Sequence, residues 1–194
     1  MAALVLAAGG SSRLGTPKQL LDWGGTPLLE YVVAQVRSWP VDTVAVVLGV
    51  DVDRILDRVD LGDALVVVNL EWEEGMASSL RVGLDALGRD AGLEAAFIAL
   101  GDQPSIPAEV PPALLVEFTP GGPIAVIPKY RYTRGNPVLI GRALWSRLMS
   151  LEGDEGAKRL LQAHPDWVRE VRFDRPPPRD IDTAEDVSQF QPRQ

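Results

Sequence analysis

The chain contains no cysteine. That absence excludes disulfides, thiolate metal sites and cysteine nucleophiles together. There is one histidine, His164, too few for a multi-histidine zinc site. Long apolar runs are also missing: none approaches the ~20 residues that a membrane span needs. Positive charge is the minority sign, with 19 Lys and Arg against 27 Asp and Glu and a net charge of -8. A general nucleic-acid binder shows a basic surface, so that class is not expected, although a local basic pocket for phosphates stays open. Residues 2–8 are apolar, but no Lys or Arg precedes them and the run is short for a signal peptide. They read instead as a first strand buried on both faces. A cytoplasmic protein that engages neither membrane nor nucleic acid is the expectation.

What is present is ordinary globular material. The 194 residues are 46% hydrophobic and 24% charged, which suits one domain over 1–194 with a substantial core. Short apolar runs alternate with longer amphipathic ones. The runs at 2–8, 43–48, 64–68, 95–100, 124–127, 137–140 and 168–173 predict strands. Helical spacing predicts helices over 27–39, 51–59, 76–87, 111–118, 142–150 and 155–164, and another after Thr183. Pro27 suits a first helical turn and Pro40 a stop. Pro176-Pro177-Pro178 predicts a rigid extended spacer. This alternation predicts an α/β three-layer sandwich with a mostly parallel, Rossmann-like sheet. Such sheets bind ligands at the carboxyl ends of their strands, near a switch in strand order.

The segment from Leu6 to Lys18 leaves the first strand through Ala7, Ala8, Gly9 and Gly10, then adds Ser11, Ser12 and Arg13. Glycines let the backbone turn so that several N–H groups converge on an anion. Arg13 can fork onto phosphate oxygens, and Lys18 supplies a compact charge. Two familiar motifs nearly fit. Gly10 and Gly15 have P-loop spacing, but Thr16-Pro17-Lys18 follows where Lys-Ser or Lys-Thr belongs. The Gly-x-Gly-x-x-Gly of a nicotinamide-dependent oxidoreductase is absent. Asp102 directly follows a buried strand, at the sheet edge from which the first loop emerges. Magnesium prefers one or two carboxylates with phosphate oxygens and waters, and Asp102 fits that role; the alternative is an Asp that shapes the turn before Pro104.

The first loop resembles the signature of the MobA-like nucleotidyltransferases, Leu-Ala-Ala/Gly-Gly-x-Ser-x-Arg-Met/Leu-Gly-x-x-Lys, and is closest to the molybdenum cofactor cytidylyltransferases. Later segments match in order: Glu74 to Leu80, Gly101-Asp102-Gln103-Pro104, Gly135-Asn136-Pro137-Val138, Gly153 to Lys158, and Asp180-Ile181-Asp182-Thr183. Two positions depart, since the family usually has His where Asn136 stands and Arg where Lys158 stands. The resemblance implies transfer of CMP from CTP to the phosphate of molybdenum-bound molybdopterin, with release of pyrophosphate. It implies Mg2+ as cofactor and a molybdenum hydroxylase as recipient of the product. Arg13, Lys18 and Asp102 become the catalytic candidates. Leu6 to Arg13 with Lys18, Ser78 and Ser79 become the nucleotide-binding ones.

Asp182 becomes a second metal ligand beside Asp102. It has a competing reading as the cap of the helix after Thr183. Asp180 lies two residues away, on the same side if the segment is extended. Ser78 and Ser79 also read as plain residues of a helix start. Asp154 reads as an acceptor contact or a solvated loop acid, and His164 as structural. Trp23, Trp72 and Trp145 are candidate pocket walls, with core or surface packing favoured for most. Three other functions stay open: transfer to a sugar phosphate or another phosphorylated metabolite, a non-catalytic cofactor carrier, and an oxidoreductase.

Overall fold

A computed structural model describes residues 1–10, 16–119, 121–153 and 157–190. The first strand, β1, runs Ala2–Ala7. A 3-10 turn at Lys18–Leu20 leads to a small hairpin, β2 (Asp22–Trp23) and β3 (Thr26–Pro27). Then follow α1 (Leu28–Arg37), β4 (Thr43–Leu48), α2 (Val52–Leu56), β5 (Leu65–Val68) and α3 (Met76–Gly88). The second half contributes β6 (Ala95–Leu100), α4 (Val110–Glu117), β7 (Ala125–Tyr130), β8 (Thr133–Arg134) and β9 (Val138–Gly141). It closes with α5 (Trp145–Leu148), α6 (Ala157–Ala163), β10 (Val168–Phe173) and α7 (Ala184–Phe190). Among the described residues no helix is long and apolar enough to cross a membrane.

The main sheet has the order β10-β7-β9-β6-β1-β4-β5, with β8 beside β7. β1 pairs in parallel with both β4 and β6. β9 is antiparallel to both of its neighbours. The sheet is therefore mostly parallel and lies between two helical layers, as the sequence predicts. From β1 the chain builds outward to β4 and β5, then crosses back to lay β6 on the other side of β1. The switch in strand order falls between β1 and β6, which is where such sheets open a crevice.

All six residues of β1 are buried, and their alternation divides the core. Ala3, Val5 and Ala7 face α1 and α4, packing with Val32, Val36, Phe97 and Leu114. Leu4 and Leu6 face α3 and α5, packing with Leu80, Leu84, Ile98 and Leu148. A strand buried on both faces loses the alternating polar residues that normally mark one.

Several boundaries differ from the sequence expectation. Pro27 ends β3 and sits just before α1 with extended backbone, not in its first turn. β7 continues beyond residue 127 to Tyr130 and turns into β8, because Arg131 takes a left-handed conformation. The stretch 142–150 divides into a 3-10 turn and the short α5.

One glycine sets the spacing between sheet and helix. A Cβ on Gly83 of α3 would lie 2.5 Å from Leu4 Cδ1 and 3.0 Å from Val47 Cγ2. Gly83→Val would gain helix propensity but overpack this contact, at about 1–3 kcal/mol. We expect the thermal midpoint to fall by several degrees, at roughly 2–4 °C per kcal/mol for a domain of this size. A calorimetric melt at or above the unsubstituted value would show that α3 can move off β1 freely.

Candidate active site

The carboxyl end of β1 is held by a residue that sequence reasoning passed over. Gln19, buried in the 3-10 turn, donates its Nε2 to the carbonyls of Ala7 and Gly9. The chain returning from the glycine turn is thus tied to the strand it left. Two carbonyl acceptors fix the amide's polarity, so Nε2 faces the strand end. β6 approaches equally closely: the Gly101 amide donates to the Leu6 carbonyl at 2.9 Å. A Cβ on Gly101 would come within 2.7 Å of the Ala7 Cβ. Asp102 is placed beside the glycine turn by this contact.

Lys18 stands between two carboxylates. Its Nζ donates to Asp102 Oδ2 at 3.2 Å and to Asp182 Oδ1. The two acids arrive from opposite parts of the chain, and the strap carrying Asp182 is stitched down by the Ile181 amide, which donates to the Asp102 carbonyl at 2.9 Å. The capping alternative for Asp182 has another occupant. Thr183 Oγ1 accepts from the Asp186 amide at 3.1 Å, and Asp186 Oδ2 accepts from the Thr183 amide at 2.7 Å. That reciprocal box starts α7, and the Asp182 side chain turns to Lys18. Asp180 turns to Gln103 instead.

The electrostatics follow from this crowding. Burial raises the Asp102 pKa above its ordinary value; Lys18 opposes the shift and the Asp180 charge adds to it. Burial lowers the Lys18 pKa, but the Asp182 hydrogen bond and the Asp102 charge outweigh it and hold the ammonium above its ordinary value. Among the described residues no group of three or more acids and histidines gathers around one point. Two carboxylates converging on one cation nevertheless match what magnesium asks of a protein when phosphate oxygens and waters complete the shell.

Two cavities flank this triad. A narrow one of about 110 Å3 is lined by Leu6, Ala7, Gly9, Lys18, Gln19 and Asp102, with Gly101. A wider one of about 390 Å3 lies between Ala8, Gly9, Gly10, Trp72 and Ser79, and Asp102 borders it as well. The candidates on β1 and its exit therefore gather with Lys18, Asp102 and Ser79. Ser78 does not join them. It is 1% exposed, and its hydroxyl is shared between the Glu71 and Gly75 carbonyls at 2.9 and 2.8 Å. Asn69, also buried and also unforeseen, donates to both serine hydroxyls. Ser78 thus holds the turn, while Ser79 borders the cavity.

Ser11, Ser12, Arg13 and Asp154 lie outside the described residues. Of the three tryptophans singled out in the sequence, Trp72 lines the wider cavity. A Cβ on Gly10 would come within 2.8 Å of its ring, and one on Gly49 within 2.6 Å of its Cβ. Trp23 and Trp145 are core residues, and His164 stacks on Trp167 with ring centroids 3.7 Å apart.

Residues 3–168 match the MobA-like NTP transferase domain. The chain belongs to the MobA-like NTP transferase family. Nicotine blue oxidoreductase of Paenarthrobacter nicotinovorans is 31% identical over 197 residues, covering 95% of this chain and 93% of that protein. A homologue of Mycobacterium tuberculosis Rv0371c from Mycobacterium sp. strain JC1 superposes with a TM-score of 0.86 at 34% identity, covering 98% of this chain and 94% of its own. Mycobacterium tuberculosis Rv0371c in complex with manganese superposes with a TM-score of 0.83 at 28% identity, covering 98% and 97%.

The raised Asp102 pKa gives a signed prediction. A carboxylate holds a cation when ionised, so binding is complete above the Asp102 pKa and lost as pH falls through it. Loss should therefore begin at a higher pH than the ordinary value of 3.8 for an aspartate allows. Mn2+ titrations followed by electron paramagnetic resonance across the acid range test this. A profile that matches an exposed aspartate, or one unchanged in Asp102→Asn, would show that Asp102 does not hold the ion.

Proposed function

We propose that this protein is a metal-dependent nucleotidyltransferase that moves CMP from CTP onto the phosphate of a molybdopterin-type acceptor. The observation that carries the reading is the convergence of Lys18, Asp102 and Asp182 at the β1–β6 switch, beside a glycine turn and a cavity. Asp102 and Asp182 would hold magnesium, whose charge would stabilise the negative charge that builds on the phosphates. Lys18 and the amides of the glycine turn would hold the triphosphate, with Arg13 as a second cation from the same loop.

The chemistry asked of the side chains is small. An acceptor phosphate oxygen forms a bond to the α-phosphorus, the bond from that phosphorus to the bridging oxygen breaks, and pyrophosphate leaves. No covalent enzyme intermediate is needed, so alignment and charge compensation carry the rate. Release of pyrophosphate should require one NTP together with the acceptor. Lys18→Ala should weaken NTP binding and turnover together, since a charge-assisted contact is commonly worth ~1.5–3 kcal/mol. Unchanged kinetics at limiting NTP would take Lys18 out of the site.

A second reading comes from one similarity: the Paenarthrobacter relative is named as an oxidoreductase and aligns with almost the whole chain. The two readings separate in one experiment. Pyrophosphate release is measured over four NTPs, with the molybdenum cofactor, with a sugar phosphate, and with neither. Oxidation of NADH and NADPH is followed in parallel. Oxidation of a nicotinamide cofactor without pyrophosphate release would replace the transferase reading.

The base preference rests on Leu6-Ala7-Ala8-Gly9. In the family this resembles, Ala at the third position accompanies cytidylyl transfer and Gly accompanies guanylyl transfer. Ala8 borders the wider cavity, where its methyl group would limit the approach of a purine. One methyl discriminates by ~1–3 kcal/mol, roughly 10–200-fold. We expect kcat/KM for CTP to exceed that for GTP with the same acceptor, and Ala8→Gly to narrow the ratio without inverting it. Equal values in the unsubstituted protein would overturn the cytidylyl assignment and leave nucleotidyl transfer standing.

A further inference from the structure

A third cavity, of about 290 Å3, opens beside Leu100 and Gln103, between β9 and the segment that leads to Asp182. Its apolar walls come from Leu100, Ile127, Val138, Leu161, Pro177 and Pro178. Its polar groups are Gln103, Asn136, Asp180 and Arg134. The Arg134 Nε is committed to Glu170 at 2.7 Å, and Lys129 reaches the same carboxylate at 2.8 Å. The charges around this cavity therefore nearly cancel, with Lys129 and Arg134 set against Glu170 and Asp180. That is a poor setting for a phosphate and a suitable one for a neutral, flat molecule.

The three amide and carboxylate side chains are wired in one direction. Gln103, only 6% exposed, donates its Nε2 to Asp180 Oδ1 at 2.6 Å and accepts at Oε1 from Asn136 Nδ2 at 3.1 Å. A carboxylate accepts and does not donate, so Asp180 dictates which end of the Gln103 amide faces it. Gln103 then dictates that Asn136 presents its nitrogen inward. The Asn136 backbone is fixed too, because its carbonyl accepts from the Tyr130 hydroxyl at 2.8 Å. The relay leaves acceptor capacity at Asn136 Oδ1 and Asp180 Oδ2, which no protein donor reaches among the described residues, beside one further N–H on each of its two amide nitrogens.

We propose that the Asp180–Gln103–Asn136 relay makes this cavity an acceptor edge, selective for a flat heterocycle that presents adjacent N–H donors, as the 2-amino-4-oxo edge of a pterin does. The proposal deepens the molybdopterin-type acceptor reading given above and rests on it. Asp180 and Gln103 act here as specificity-determining and positioning residues. A ring carrying a carbonyl in place of the 2-amino group would set acceptor against acceptor. Sites built around such hydrogen bonds reject the mismatched analogue far more strongly than apolar pockets reject a methyl group.

The test uses the whole chain and two fluorescent probes, 2-amino-4-oxopteridine and 2,4-dioxopteridine, titrated with no nucleotide present. The aminopteridine is expected to bind at least about tenfold more tightly. Asp180→Asn, which supplies an amide that can face either way, should bring the ratio close to one. Gln103→Leu should lower it too, by releasing Asp180 and Asn136. Thermal melts confirm that each variant folds, and either variant suffices if the other does not. Equal binding of both probes, no binding of the aminopteridine, or a ratio untouched by the folded variants would overturn the proposal. Pyrophosphate release is scored separately. Turnover with the molybdenum cofactor and no preference between the two pteridines would sink this inference alone. Selective pteridine binding without turnover on any NTP would sink the transferase reading alone.

Discussion

The Lys18 ammonium, shared between Asp102 and Asp182, is the contact on which the rest of the arrangement depends. It joins three parts of the chain separated by 84 and 164 positions from Lys18. Exposed ion pairs contribute little, because water competes for both partners. This one is half-buried at Lys18 and Asp102, and it is not alone. The Ile181 amide on the Asp102 carbonyl and the Gln103 amide on Asp180 bind the same strap to the same strand end. A charge contact that would be weak by itself is therefore made between groups whose backbones are already fixed.

Close backbone approach is the second constraint. Gly101 lies against Ala7, and Gly10 and Gly49 lie against Trp72. In each case a methyl group would displace a neighbour that belongs to the site. The small residues at these strand ends thus do two things at once. They open a turn that can meet an anion, and they let β6 and the Trp72 segment come near enough to bring Asp102 and the cavity wall to it. Gln19 completes this by holding the returning chain to Ala7.

Much of the fold was legible because the strands that build it are buried apolar runs, and β1, β4 and β6 fall at or within a residue or two of their expected limits. Strand direction was not legible. β9 reads as a strand in either sense, and only its hydrogen bonds to β6 and β7 show that it runs antiparallel. β2, β3 and β8 have two residues each, too short for any period to register. In the site, Asp102 was visible because it follows a buried strand. The roles of Gln19, Asn69 and Gln103 were not, because an amide that knots two segments carries no mark of its partner. Gln103 meets a residue 77 positions away. Asp182 was half legible: its place before a helix fitted a cap equally well, and only Thr183 and Asp186 taking that role turned its carboxylate toward Lys18.

The charge count at the switch bears on how such a site would take a nucleotide. Lys18 brings one positive charge to a place where Asp102 and Asp182 bring two negative ones, on a chain whose net charge is -8. A triphosphate arriving alone would meet a carboxylate pair with its compensating ammonium already engaged. In the transferase reading, a nucleotide carrying its own divalent cation meets a different situation. The carboxylates would then hold that cation, and the ammonium would turn to the phosphates. The same three side chains would thus serve as a partly neutralised cluster before binding and as two separate contacts after it. The exchange trades one charge pairing for another within a partly desolvated pocket, where leaving either carboxylate uncompensated would be the costly step.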